Sequence, residues 1–506
     1  MKLNRTLYRI LLIVSFLMLN AFVIMGISAV ISYLNTGADR SSILHLGEEL
    51  SPSYLPKVVW SPLENEGRPM EKQTLANIER DYLKAWYVKN LALEENKVYG
   101  IADYYTDSAR VKLHALVSLN KKNHTHFKTT TFSHQPTLNF YSADGKLVVL
   151  TDKHVQYYEE VYQDNELIAK KRGTATYQII LLLEDGFWRI RHSTKLTSEE
   201  PKKKKSRKID LSQITKGRGI NYYPQKTPWA MFGEQFNAST VNSDFEKIKV
   251  LGLNSVRVFI PYEAFGKAEV DSAKINQLRT VLDLAHQNDL KVLATLFDFY
   301  GDYSPSNWTL THRHAEQLVT QLKDHPALLA WDIKNEPDLD FESRGKDNVI
   351  SWLEQMLLQI KSWDNQNPVT IGWSTPEVAE MLADKVDFVS FHYYQKPAAF
   401  ETAYSQLRLK VPHKPIVLQE YGISSYDGMY NAYLGAEEDQ ANYYKAMHKV
   451  LEKEAIPYFL WTLYDFENIP NGVVGKLPWR KAYQKHFGLI DSENNTKEAY
   501  HVIAKK

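Results

Sequence analysis

Two short stretches carry groups that acid–base chemistry needs. Trp331-Asp332-Ile333-Lys334-Asn335-Glu336-Pro337-Asp338 continues an apolar run that begins at Ala327 and reads as a buried parallel strand. Asn335-Glu336-Pro337 breaks that strand with polar groups at its C-terminal end. Further on, Pro415-Ile416-Val417-Leu418-Gln419 is another short apolar run, and it ends in Glu420-Tyr421-Gly422. Two carboxylates at strand ends suggest cleavage of a glycosidic bond, in which one protonates the leaving oxygen while the other attacks the sugar or activates water. A single glutamate in such a place is more often solvated or salt-bridged, so the pair depends on the elements that position it.

Composition frames those elements. A chain of 506 residues exceeds one ordinary core and implies two or three domains. Its 44% hydrophobic and 12% aromatic content suffices to bury those cores, which sets disorder aside for most of the length. A formal net charge of +1 gives no overall pull toward nucleic acid, and none is expected as a partner. The absence of cysteine excludes disulfide scaffolds, thiolate zinc sites and thiol nucleophiles together.

Residues 1–9 read as a cytoplasmic N-terminus and residues 10–34 as a transmembrane anchor, since 10–34 carry no charge and about 20 apolar residues cross a bilayer core. Lys2, Arg5 and Arg9 precede this stretch, and no Lys or Arg follows until Arg40. The positive-inside rule then keeps the N-terminus in the cytoplasm and places the remainder outside the cytoplasmic membrane. A cleaved signal peptide is the rival; it has a shorter apolar region, about 7–15 residues, and a small-residue cleavage site not evident here. Residues 35–70, with Pro52, Pro56, Pro62 and Pro69, read as a tether or loosely packed lead-in.

Residues 71–198 read as a small α+β domain. Between Leu75 and about Leu119 the pattern is helical, with Ile78, Tyr82, Leu83, Trp86 and Leu91 spaced for one buried face. Strand patterns follow: residues 137–141 turn at Ala143-Asp144-Gly145 into 146–150, and residues 174–183 turn at Glu184-Asp185-Gly186 into 187–190. Helices followed by long hairpins, the last ending in Asp-Gly-Phe-Trp-Arg-Ile, resemble the cone-shaped NTF2-like fold. That resemblance implies a domain that holds a ligand in its cone, spaces its neighbours, dimerises or recruits a protein partner. His154 and His192 read as solvated or core residues. Residues 199–214, with Pro201-Lys202-Lys203-Lys204-Lys205-Ser206-Arg207-Lys208, read as a basic linker kept extended by its own charge. Contact of this block with anionic lipid or polysaccharide is the alternative.

From residue 215 to 506 short apolar runs alternate with helical stretches, the pattern of a parallel sheet with crossover helices, and the length suits a (β/α)8 TIM barrel. Strands at 219–222, 255–260, 291–296, 328–333, 369–372, 388–392, 415–419 and 458–462 complete a set of eight. Helical patterns at 244–251, 275–288, 315–323, 349–362 and 440–453 fall between them. Glu336 and Glu420 then follow strands four and seven, on the barrel face where active sites of this fold are built. The expected class is α/β: a C-terminal barrel preceded by a transmembrane helix and the smaller α+β domain.

With these positions assigned, residues 215–503 resemble a clan A glycoside hydrolase barrel of the cellulase-like family 5. The resemblance implies Glu336 as acid/base behind Asn335, and Glu420 as nucleophile. It further implies Arg257 on strand two to steady the nucleophile, His392 and Tyr394 of His392-Tyr393-Tyr394 at the end of strand six, and Trp461 on strand eight as the floor of the sugar site. Asn221 on strand one and Asp298 at strand three are expected as further substrate-binding or supporting groups. Many family members carry a His on strand three, where this chain offers Asp298.

The chemistry of these residue types supports the same roles. A retaining enzyme needs its carboxyl groups about 5–5.5 Å apart, whereas inversion needs about 6.5–9.5 Å to admit water. Facing strand ends of one barrel supply the shorter spacing, so retention is inferred. Glu420 must be ionised to attack, which a nearby Arg257 favours and a Tyr394 hydroxyl can steady. Glu336 must carry a proton first and accept one later. Asn335 is placed to bond the sugar 2-hydroxyl. Tyr222, Tyr223, Trp229, Phe299, Tyr300, Trp308, Tyr393, Tyr464 and Phe466 are expected near the mouth, for sugar stacking or for loop packing. Asp465 and Glu467 are expected to bond hydroxyls or to be solvated. The mechanism requires no metal and no cofactor. The expected activity is that of a membrane-anchored retaining β-glycosidase acting on an extracytoplasmic oligo- or polysaccharide. A transglycosidase, in which a sugar hydroxyl replaces water, stays open as an alternative. So does a catalytically silent carbohydrate-binding or assembly protein.

Overall fold

A computed structural model describes residues 5–34, 54–200, 209–431 and 435–504, with side chains described for 13–27 of the first segment. Arg5–Leu34 is one helix, and its described side chains are exposed. Among the described residues no helix is long and apolar enough to cross a membrane; residues 13–27 alone are shorter than the about 20 that a bilayer needs. The N-terminal half of the expected tether and the lysine block of the expected basic linker lie outside the described residues.

The small domain begins earlier than the sequence suggests. Residues 54–70 are packed, not loose: Tyr54 is buried and stacks on Tyr87 at 5.9 Å, and β1 (Lys57–Val58) pairs in parallel with the Ser133–His134 region. Prolines fit an extended edge segment of this kind, which has no periodicity to betray it. The helix Lys72–Glu95 ends at Asn96, whose left-handed φ of 54° reverses the chain. Asp107–Lys122 follows, so the expected helical stretch is interrupted by a turn. Four long antiparallel strands succeed them: β2 (Thr125–Tyr141), β3 (Leu147–Gln163), β4 (Glu166–Glu184) and β5 (Phe187–Glu199). The Asp-Gly turns fall where expected, with Gly145, Asp185 and Gly186 all at positive φ. Ile78, Tyr82 and Trp86, one turn apart on the first helix, bury against Leu150, Ile179 and Leu181 of the sheet.

The larger unit is a closed barrel of eight parallel strands: β6 (Arg218–Asn221), β7 (Ser255–Pro261), β8 (Lys291–Asp298), β9 (Leu328–Asn335), β10 (Val369–Trp373), β11 (Val389–Tyr393), β12 (Ile416–Tyr421) and β13 (Tyr458–Leu460). Each lies within one or two residues of its expected place. The strands read as continuous apolar runs because the barrel interior covers one face and the helices the other. Helices Ala238–Val250, Ser272–Gln287, Trp308–Leu322, Lys346–Trp363, Pro397–Lys410 and Glu437–Lys453 supply that outer layer.

The two units share a core. Phe132 and Tyr158 on the small domain's sheet join the barrel's hydrophobic cluster, Phe132 stacking on His312 at 5.0 Å and Tyr158 meeting Trp308 at 4.6 Å. Polar bonds frame these rings: the Leu55 amide donates to Thr309 at 2.9 Å, Lys128 to Asn348 at 3.1 Å and Lys170 to Ser351 at 2.7 Å. The barrel residues involved lie after β8 and β9, and β9 ends one residue before Glu336.

Candidate active site

Arg257 organises the barrel's upper interior. It projects from β7, is fully buried, and all three of its nitrogens have partners. Nη2 donates to Asp332 at 2.6 Å and to Asn335 at 2.9 Å, Nη1 to Asn221 at 3.1 Å and to Glu420 at 2.5 Å, and Nε to Thr295 at 3.0 Å. A buried guanidinium is tolerable only when its donors are satisfied and its charge is met. Asp332 and Glu420 both meet it, and their attraction outweighs the burial that opposes Arg257's charge, so its pKa rises. Asp332 is itself wholly buried and also accepts from Thr295 at 2.8 Å, Gln419 at 3.0 Å and the Gly372 amide at 3.0 Å. Gly372 is required there, because a Cβ would stand 2.6 Å from the Gln419 amide oxygen and 3.1 Å from Arg257 Nη2.

Glu336 and Glu420 face each other across this platform. Glu336 follows β9 in a left-handed conformation, φ 47° and ψ 54°, costing on the order of 1–3 kcal/mol for a non-glycine residue. Its amide donates to the Gly372 carbonyl at 2.7 Å, which holds the chain in that turn. Glu420 lies within β12; one carboxylate oxygen takes the Arg257 bond and the other accepts the Tyr394 hydroxyl at 2.7 Å. Desolvation, and then the Glu420 carboxylate, push the Tyr394 phenol well above its ordinary value, so it stays a donor. His392 Nδ1 sits between the two acids, 2.9 Å from Glu336 and 3.5 Å from Glu420. Burial opposes a charge on His392, yet Glu420 and Glu336 raise its pKa above the usual imidazole value. Donor atoms of Glu336, His392 and Glu420 all lie within 4.8 Å of one another, the one set among the described residues that could converge on a cation. Arg257 already places a positive charge on Glu420, which weakens the case for a second.

A profile of the cellulases, glycosyl hydrolase family 5, matches residues 215–467, half of the chain. The chain belongs to glycosyl hydrolase family 5. It is similar to a β-glucuronidase of Chlorocebus aethiops, 26% identical over 262 residues, which cover 48% of this chain and 38% of that protein. It is also similar to mannan endo-1,4-beta-mannosidase 5 of Solanum lycopersicum, 27% identical over 176 residues, covering 26% of this chain and 42% of that protein. The chain thus spans less than half the length of either relative. Among solved structures, an exo-beta-1,4-mannosidase from Opitutaceae bacterium strain TAV5 superposes with a TM-score of 0.45 at 19% identity, covering 57% of this chain and 58% of that one.

Within this family 5 barrel, the residues singled out from the sequence converge unevenly. Arg257, Asn335, Glu336, His392, Tyr394 and Glu420 form one connected group. Trp461 is buried at the end of β13, ringed by Tyr223, Trp229 and Phe259 at 6.2–6.4 Å, and its indole N–H has no partner. Asn221 supports and does not reach outward: both its amide donor bonds go to backbone carbonyls of Gln419 and Leu460 at 3.0 Å. Asp298 is buried and accepts the Tyr223 hydroxyl at 3.3 Å.

The aromatics expected at the mouth are mostly core. Tyr222, Tyr223, Tyr300, Trp308, Tyr393, Tyr464 and Phe466 are all buried, and Trp308 packs on the small domain; Trp229 and Phe299 are half-buried. Asp465 is neither solvated nor open to a sugar, being paired with buried Lys497 at 2.7 Å, while Glu467 is exposed. Asp332, Thr295, Gly372 and Gln419 were missed. An aspartate inside an otherwise apolar strand was the available signal for Asp332, since a buried carboxylate needs a cationic or hydrogen-bonding partner.

Proposed function

We propose that this protein is a retaining β-glycosidase acting on an oligo- or polysaccharide by double displacement, with Glu420 as nucleophile and Glu336 as acid/base. The observation that carries this is the convergence of Glu336, His392 and Glu420 donor atoms within 4.8 Å, which suits the short carboxyl spacing of retention. In the first step a Glu420 oxygen bonds to the anomeric carbon, the bond to the leaving oxygen breaks, and the Glu336 proton passes to that oxygen. In the second, Glu336 removes a proton from water, the water oxygen bonds to the anomeric carbon, and Glu420 leaves as carboxylate. Arg257 and Tyr394 hold one Glu420 oxygen each and so aim the nucleophile. Asn335 gives its amide oxygen to Arg257, which turns its N–H groups toward a sugar hydroxyl. Trp461, with its unpartnered N–H, floors the sugar site.

The relatives include a β-glucuronidase and a mannanase, and their names favour a β-linked substrate for this chain. The uncharged stretch 10–34 with Lys2, Arg5 and Arg9 before it supports membrane anchoring with the barrel outside the cytoplasm. The helix-then-hairpin order of residues 54–200 supports an NTF2-like domain that spaces or recruits. The test is hydrolysis of a β-glucan, β-mannan and β-glucuronide panel by the unaltered protein and by Glu336→Gln and Glu420→Gln. Each variant is expected to lose about a hundredfold or more in kcat while still binding the best substrate. Unchanged turnover in either variant refutes the assignment, and binding without turnover by all three favours a silent carbohydrate-binding protein.

A further inference from the structure

A second cleft lies on the same face of the barrel, walled by the segments that follow β12 and β13. Tyr426, Tyr430, Val473, Trp479, Arg480 and Tyr483 line it around about 420 Å3. Its rings present area outward where most aromatics of the barrel are buried: Tyr430, Trp479 and Tyr483 are 48%, 42% and 39% exposed. Tyr430 lies 6.4 Å from Trp479, tilted by 56°, and stacks on Tyr426 at 6.5 Å, so the three rings cluster in the lining of the cleft. Exposed tryptophan and tyrosine on a soluble face cost solubility and usually mark a recognition site.

Two features select the occupant. One is continuity with the glutamate pair: Tyr394, whose hydroxyl bonds Glu420, meets Phe487 edge-on at 5.9 Å, and Phe487 meets Tyr483 edge-on at 5.3 Å. A single buried ring therefore separates the candidate cleavage site from the outer cleft. The other is charge. Arg480 is the one charged residue in the lining, and between Lys476 and Lys485 the chain carries Lys476, Arg480, Lys481 and Lys485 and no acid.

We propose that this cleft is an outlying sugar subsite, which stacks a pyranose of the same chain that is cleaved at Glu336 and Glu420 and prefers a unit bearing a carboxylate. This rests on the glycosidase reading and extends it to substrate class. Pyranose C–H faces pack on Trp479 and Tyr430, as apolar area on a rigid ring with few rotamers to freeze. The Arg480 guanidinium forks onto the carboxylate in the geometry that lysine cannot reproduce.

Calorimetric titration of the full chain carrying Glu336→Gln, which keeps the ligand intact, tests the subsite with cellobiose, cellopentaose and C6-oxidised cellopentaose. Adding Trp479→Ala is expected to weaken both pentaoses about fivefold or more and cellobiose less, with Trp479→Phe restoring most of the loss. Adding Arg480→Gln is expected to weaken the oxidised pentaose about tenfold or more and the neutral one less. Absence of pentaose binding, a pentaose Kd untouched by Trp479→Ala, or an equal loss on cellobiose overturns the subsite. An Arg480→Gln effect equal on the two pentaoses overturns its preference for acid. Failure of the glycosidase reading shows separately, as an unaltered protein that binds these sugars with the Trp479 dependence intact and hydrolyses none of them.

Discussion

Glu420 is held by two donors that differ in kind. Arg257 belongs to a buried ion network that also joins Asp332, Asn221 and Asn335, so replacing it disturbs several residues at once. Tyr394 gives a cleaner measurement. Its hydroxyl makes one bond to Glu420 at 2.7 Å. Hydrogen bonds to charged groups contribute about 1.5–3 kcal/mol. Tyr394→Phe is therefore expected to lower kcat/KM by roughly 10- to 150-fold with an unchanged melting temperature. An unchanged kcat/KM would remove Tyr394 from the positioning of Glu420. At this scale the sequence was informative where a residue type has few reasons to sit at a strand end, as with Asn335-Glu336 and Glu420. It was uninformative about Gly372, whose role exists only because Arg257, Asp332 and Gln419 crowd its empty side from three different strands. It was equally silent on His392 lying between both acids, since a two-sided contact depends on how β9, β11 and β12 are staggered.

The strands were legible because burial on both faces leaves uninterrupted apolar runs, and the helices because one stripe of each is apolar. Helix Pro397–Lys410 is less legible: its buried residues are only Phe400, Tyr404 and Leu407, a narrow stripe in a mostly polar segment. Helix Trp308–Leu322 extends a full two turns before its expected start at Ala315, because Trp308, Thr311, His312 and His314 are buried against a neighbour that the local pattern does not reveal. Its two histidines carry a pH signature. Burial holds His312 and His314 down at about 4, below the ordinary imidazole value of 6.5. In the unfolded chain both would take up protons near 6.5, so between pH 6.5 and 4 the unfolded state binds more protons than the folded one. Stability is therefore expected to fall as pH drops through that window and to level off below it. Chemical denaturation across pH 4–7 checks this. His312→Phe keeps the ring stacked on Phe132 and should flatten part of the slope, and an unaltered slope would contradict the assignment.

At the scale of the whole chain, the small domain is built into the barrel's wall. It grips Asn348 and Ser351, and the helices that precede and follow β9, whose end carries Glu336. Among the aromatics expected at the mouth, Trp308 misled for this reason: it faces another domain, and nothing in its own neighbourhood of sequence says so. Trp308 is 1% exposed, packs on Tyr158 and donates its indole N–H to the Tyr303 carbonyl at 2.8 Å. Trp308→Ala should destabilise the protein by about 3–5 kcal/mol, read from denaturant midpoints. A loss under about 1 kcal/mol would mean that the two units are only loosely joined in solution.

What the whole arrangement asserts is that two carboxylates stand close enough for one to bond to the sugar while the other moves the proton. The measurement that tests this most directly is the anomeric configuration of the first product, followed by proton NMR before mutarotation on whichever β-glycoside the protein hydrolyses best. The account predicts the β-anomer first, with α appearing only as the sugar equilibrates. Initial release of the α-anomer would contradict it, because a single displacement by water needs acids about 6.5–9.5 Å apart.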